Sequence, residues 1–269
     1  LALCYRDLDA IEAAEKQSSA KLFVGYMRRY APAFLQAVAE VGDRSQIQYA
    51  RVRDIIGLNS FFVDQSGTFP RKFGDFSKEN LEALINASND INTQALVEEF
   101  NVPMTDKTIK MLNLLGGLGS HDLSAMREAI GMPKSVLGAR LQGPIWSALL
   151  DYDYFSVSYE SGINNVPVFD AHIEIYTESK IVRVNYDSPY VKGLPATITV
   201  REKVEGPNGE ASYQERSIRT TYEDSYTAEL KDWHDCIITG REPKTSVADA
   251  RQDIEIFKML MQAGYGKKT

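Results

Sequence analysis

The chain has 269 residues, 43% hydrophobic and 25% charged, with a formal charge of −7 and a pI near 5.2. That composition is ordinary for a soluble globular protein with a sizeable core, in one large or two modest domains. It excludes a nucleic-acid footprint, since no face or run is strongly basic, and no apolar run approaches the ~20 residues that span a bilayer.

Two cysteines, Cys4 and Cys236, sit at opposite ends of the sequence. They make neither a disulfide framework nor a metal knuckle, which points to a reducing, cytoplasmic compartment. Arg6, Asp7 and Asp9 interrupt any early apolar region, so no signal peptide is expected. The chain opens without methionine and in mid-pattern, as a fragment or excised domain does.

In chain order, Leu8, Ile11 and Ala14 recur at helical spacing over Asp7–Lys16. Lys21–Met27 reads as a short buried strand. Pro32 begins a helix that runs to Val41 and stops at Gly42. Ile47–Ile55 alternates as a strand and carries Asp54 near its end. Residues 57–77, rich in Gly, Ser, Phe and Pro, are expected to form a long loop able to cover a cleft. Lys78–Phe100 and Asp106–Leu115 are predicted helices. The glycines of 116–119 interrupt the second, and His121–Ile130 resumes it until Gly131 and Pro133.

From Ser135 the apolar period becomes two. Predicted strands are Tyr154–Tyr159, Val166–Tyr176, Lys180–Tyr186, Ala196–Val204 and Ala211–Thr221, separated by short turns. Such strands make an antiparallel sheet. One face carries Phe169, Ala171, Ile173, Ile175, Val182 and Val184; the other carries Asp170, His172, Glu174, Arg183, Thr199 and Arg201. Two helices finish the chain, with apolar stripes Tyr226, Leu230, Trp233, Ile237 and Val247, Ala250, Ile254, Phe257, Met261, both read as core. Ser246 and Asp249 have capping-box spacing, and Gly264 suits a helix end.

A dinucleotide fingerprint is absent. Gly117-Leu-Gly119 supplies two glycines, but Asp122 occupies the third position and the run follows a helix rather than a strand. His121 is the best chemical candidate, because an imidazole after a glycine-rich turn is suited to moving a hydroxyl proton. Arg28 and Arg29 follow an apolar run, where ligands gather in α/β sheets. Asp170, His172 and Glu174 share a strand face at metal-ligand spacing, but no second histidine or cysteine cluster supports a metal, and none is expected.

Three islands resemble the Gfo/Idh/MocA family of NAD(P)-dependent sugar and polyol dehydrogenases. They are Leu22-Phe-Val-Gly-Tyr-Met-Arg-Arg-Tyr-Ala-Pro-Ala-Phe34, Gly116-Gly-Leu-Gly-Ser-His-Asp-Leu-Ser-Ala-Met-Arg127, and Tyr222–Ala263. Leu1–Ile11 looks like the segment that follows the family's Glu-Lys-Pro signature. The resemblance is strongest at 1–42, 111–137 and 222–263 and weak at 57–105.

The resemblance implies an α+β fold: an open, mostly antiparallel sheet with helices on one face, preceded by a helix–strand remnant of a Rossmann domain. Residues 1–27 would be that remnant, and 28–269 a substrate-binding and oligomerisation domain. It implies NAD or NADP as cofactor, bound mainly by a part outside these residues. His121 would be the catalytic proton carrier. Met27, Arg28, Asp54 and Asp122 would face the substrate, and Arg28 also the cofactor.

The expected function is hydride transfer between nicotinamide and a carbinol carbon of a sugar, polyol or related hydroxy compound. A homodimer or homotetramer would form through the open sheet face, and these residues alone are expected to be inactive. Many polyol-oxidising members carry Asp where this chain has Gly117 and Ser124, which argues against inositol-type specificity. Two alternatives stand beside this reading: a non-catalytic sensor or co-repressor of the same fold, and a cofactor-independent lyase or isomerase.

Overall fold

The computed structural model describes residues 2–266. Leu1, the first residue of the proposed remnant, and Lys267–Thr269 at the end of the second proposed domain lie outside the described residues.

Eight strands form one sheet: β1 (Ile47–Gly57), β2 (Ser135–Arg140), β3 (Ile145–Asp151), β4 (Ser156–Asn164), β5 (Phe169–Thr177), β6 (Lys180–Tyr186), β7 (Thr197–Glu205) and β8 (Ala211–Ile218). Their order is β2-β3-β4-β1-β5-β6-β7-β8. Every neighbouring pair is antiparallel except β1 with β4. The fold is therefore α+β and mostly antiparallel, as expected. Strands β2 and β3 fall within the stretch of period two and add to the strands expected there.

The helices are α1 (Tyr5–Lys16), α2 (Pro32–Val41), α3 (Asn59–Val63), α4 (Lys78–Thr93), α5 (Asp106–Leu114), α6 (Ser120–Ile130), α7 (Ser225–Thr239) and α8 (Val247–Tyr265). Those that pack on the sheet cover its apolar face. Ala171, Ile173, Ile175, Val182 and Val184 are buried beneath them. The opposite face carries linked ion pairs: Arg51 and Arg53 hold Glu160 at 2.8 and 2.9 Å, and Arg53 holds Asp170 at 2.7 Å. Arg201 reaches Glu174 and Glu215.

Five expectations need correction. Lys21–Met27 is not a strand: it pairs with none among the described residues. Val24 N–H donates to the Thr245 carbonyl at 2.9 Å, Tyr26 N–H turns back to the Val24 carbonyl, and Met27–Arg29 closes a 3₁₀ turn. A strand exists only where a neighbour supplies its ladder, and here Thr245 takes that place.

The glycines of 116–119 do not interrupt the helix. Leu115–Gly119 forms a π-helical turn that joins α5 to α6 without a break. The glycines serve close packing: a Cβ on Gly116 would lie 2.4 Å from Leu3 Cδ2, and one on Gly119 2.9 Å from the Tyr159 hydroxyl. Gly131, at φ +90°, does end α6.

The stripe on α7 is not core. Leu230 and Ile237 are 63% and 56% exposed, while Glu229 and Cys236 are the buried positions. This helix packs on the Met27–Arg29 turn, so only the strip facing that turn is covered. Residues 57–77 are not one long loop over a cleft: Asn59–Val63 forms α3, and beyond it Phe69, Phe73 and Phe76 stand in solvent. Gly264 lies inside α8, and the cap is Gly266.

Candidate functional site

The π-helical turn decides where the first turn of α6 points. One extra residue per turn advances the helix phase, and such turns recur at functional sites. Asp122 is thereby buried, 2% exposed, with Ser120, Ser124 and Arg127 also inward. The 3₁₀ turn at Met27–Arg29 brings Arg28 to it, and β1 delivers Asp54 from the sheet.

Arg28 is the centre of this site. Its Nη1 donates to Asp122, and its Nη2 donates to Asp54 at 3.1 Å. All three side chains are at most 6% exposed. The guanidinium also stacks against Tyr186, 4.9 Å from the ring centre, and lies 5.8 Å from Phe169. Burial, with the Asp54 charge beside it, pushes the Asp122 carboxyl well above the ordinary range.

His121 lies on the same turn of α6. Its Nδ1 is buried and meets no hydrogen-bond partner. Burial, and then the charge of Arg28, lowers its pKa to about 4, so the imidazole is neutral at physiological pH. A cavity of about 270 Å³ opens beside this turn, lined by Gly117, Ser120, Tyr26, Asn113 and Asp253 among others. A Cβ on Gly117 would meet nothing within 4 Å. Met27 and Arg28 border a second, much smaller cavity of about 30 Å³ with Tyr186, Ser188 and Tyr226. A groove of about 720 Å³ along α5 and the β2–β3 hairpin contains none of the predicted residues.

The five predicted site residues thus come from three separated segments to one place. Arg29 does not join them; it turns to Glu128 and to Asp249 on α8, where Arg127 also binds. On the polar sheet face, Asp170 and Glu174 pair with arginines, and Arg183 Nη2 lies 3.1 Å from His172 Nδ1. Among the described residues no group of three His, Cys, Asp or Glu is placed to hold a metal ion.

Sequence reasoning missed the floor of the site. Tyr159, Ser161 and Trp146 are at most 1% exposed, and each has a buried polar atom without a partner. Alternation on β3 and β4 places all three on the inner face. Glu229 was hidden in the wrong stripe of α7.

No family model matches the chain, and no curated protein matches it. Solved structures do. An aldose-aldose oxidoreductase from Caulobacter crescentus, complexed with glycerol, superposes with a TM-score of 0.61 at 16% identity, over 98% of this chain and 67% of that one. The fold is that of the Gfo/Idh/MocA-type oxidoreductases. Myo-inositol 2-dehydrogenase from Lactobacillus plantarum gives 0.57 at 15%, over 97% and 68%. An oxidoreductase from Agrobacterium radiobacter, in complex with NAD+, L-tartaric acid and magnesium, gives 0.56 at 16%, over 98% and 68%. The chain therefore spans about two thirds of the length of each of these Gfo/Idh/MocA-type neighbours. No helix in the described residues is long and apolar enough to cross a membrane.

Proposed function

We propose that the chain is the substrate-facing part of an NAD(P)-dependent oxidoreductase acting on a carbinol carbon of a sugar, polyol or related hydroxy compound. The observation that carries this reading is the neutral, buried and unpartnered Nδ1 of His121, on the helix turn that adjoins the 270 Å³ cavity.

A neutral imidazole accepts a proton from a hydroxyl, and in the reverse direction returns it. Arg28 stays cationic between Asp54 and Asp122 and stops His121 from charging prematurely. Met27 shapes the wall of the small cavity beside Arg28. Asp54 and Asp122 hold that guanidinium in place from both sides.

The residues present fit the nicotinamide end of a dinucleotide. Asn113, Ser120 and Asp253 give the cavity a polar wall and Gly117 leaves open space beside it, whereas no glycine fingerprint for a pyrophosphate occurs in the sequence. When bound, the nicotinamide accepts or returns the hydride. Turnover is accordingly expected only when these residues are joined to a part that binds the dinucleotide. The ion-paired sheet face would serve self-association, to be read as a dimeric or tetrameric mass in solution.

The test uses the whole gene product with NAD+ or NADP+ and a panel of aldoses, polyols and hydroxy acids. Reduced nicotinamide should appear with at least one of them, and His121→Asn should lower kcat by ~10²–10⁴-fold with little change in KM. Absence of dinucleotide binding and of turnover across the panel would overturn the reading.

A further inference from the structure

The charges at Arg28 do not balance. One guanidinium faces two carboxylates, all three buried, and no other ion pair of Arg28 is found among the described residues. Two ionised carboxylates would leave a net negative charge in the interior, which is costly. Each carboxylate also has an orphaned oxygen: Asp54 Oδ1 and Asp122 Oδ2 are buried and lack any donor. The two carboxyls lie within side-chain hydrogen-bond reach of each other, so a single proton, held by one and donated to the other, neutralises the cluster.

Three more orphans lie on the same inner face. Ser161 stands directly opposite Asp54 in the β1–β4 ladder, and Trp146 directly opposite Ser161 in the β3–β4 ladder. The Tyr159 hydroxyl lies beside both Ser161 and Trp146. Ser161 Oγ, Tyr159 Oη and Trp146 Nε1 all lack partners. An indole N–H only donates, whereas hydroxyls donate and accept. A chain beginning at Trp146 therefore runs one way: Trp146 to Tyr159, Tyr159 to Ser161, Ser161 to Asp54. Each link closes by hydroxyl rotation or one ordered water. Asp54, receiving the last donor, is the acceptor of the pair.

We propose that Asp54 and Asp122 hold one proton between them, kept on Asp122, and that Trp146, Tyr159 and Ser161 position it by donating in sequence toward Asp54. The groups facing this pair are Arg28 from the 3₁₀ turn, Tyr159 from β4 and Tyr186 from β6, with Ser161 opposite Asp54 in the ladder and His121 acting on Arg28 from α6. Glu128 acts on Tyr186 from farther along α6.

The consequence for His121 rests on the function proposed above; the shared proton does not. With Asp122 neutral, only one carboxylate offsets Arg28, and the imidazole stays uncharged. Asp122 is thus a positioning residue that sets the base strength of its neighbour.

The test labels aspartate side-chain carboxyls with ¹³C in the whole protein, leaving Glu229 silent. At neutral pH one aspartate resonance should remain that of a protonated carboxyl. Asp122→Asn should abolish it with the fold intact, because the amide mimics the protonated acid. Asp54→Asn should also abolish it, because Asp122 then pairs alone with Arg28 and ionises. The His121 ring protons should titrate near the same value in wild type and in Asp122→Asn.

The proposal is overturned if every aspartate is ionised at neutral pH. It is equally overturned if the protonated signal survives either variant, or if the His121 midpoint drops when Asp122 is replaced. None of these readouts requires turnover, so the oxidoreductase reading and this one fail separately.

Discussion

Arg127 clasps Asp253 with one edge of its guanidinium: Nε donates to Oδ1 at 2.7 Å and Nη2 to Oδ2 at 3.1 Å. The same arginine also binds Asp249 through Nη1 and Nη2, both at 2.6 Å. It therefore bolts α6, which carries His121, to the start of α8. Removing one partner of such a buried set leaves uncompensated charge. Arg127→Leu is expected to lower unfolding free energy by about 3–5 kcal/mol, and Arg127→Lys to recover only part, since one ammonium cannot span both carboxylates. Urea midpoints of the two variants check this.

The π-helical turn offers a paired experiment. Gly119→Ala forces a methyl to within 2.9 Å of the buried Tyr159 hydroxyl, whose ring has little room to retreat. A loss of about 1–3 kcal/mol is expected. Gly117→Ala meets nothing within 4 Å and should gain about 0.4–1 kcal/mol from reduced freedom of the unfolded chain. Thermal midpoints moving in the same direction for both would contradict the packing described.

Acid should weaken the fold through its histidines. His121 and His172 both fall from 6.5 to about 4, in each case first through burial and next through an arginine, Arg28 and Arg183 respectively. The unfolded chain binds these protons first, so stability is complete above 6.5 and declines as pH falls toward 4. The loss is at most about 3 kcal/mol for each of them. His172→Asn should flatten its share of the slope in denaturant titrations run at stepped pH.

Glu229 predicts the opposite slope. It is 6% exposed, its Oε1 has no partner, and burial raises its carboxyl to about 7. The folded state holds this proton more tightly, so stability declines as pH rises from 4.5 through about 7. Glu229→Gln should remove that decline and be more stable than wild type above neutrality by about 1–2 kcal/mol.

Much of the sheet was legible because apolar and polar residues alternate where one face packs under helices and the other carries ion pairs. Ile173, Ile175 and Val184 against His172, Glu174 and Arg183 display it, although His172 and Glu174 are themselves buried. The same logic misled at α7, where an apolar stripe exists but the helix presents a different strip to its support. Lys21–Met27 has the composition of a strand, yet composition does not supply a pairing partner. The resemblance set His121, Asp122, Asp54 and Arg28 about one substrate; residue spacing alone did not, because their convergence depends on the phase of one π turn and on strand order. Tyr159, Ser161 and Trp146 were invisible as polar groups. Nothing in an alternating strand distinguishes a hydroxyl that packs from one that waits for a donor.

The placement of β1 between β4 and β5 has a cost during biosynthesis. Both of its hydrogen-bonding edges remain bare until Ser156–Thr177 has left the ribosome, so the nascent chain carries an unpaired strand while residues 58–155 are made. Assembly through such distant pairings is slow and prone to clumping. Yield in a host should therefore respond to cooler growth and to chaperone supply more than to any change at the surface.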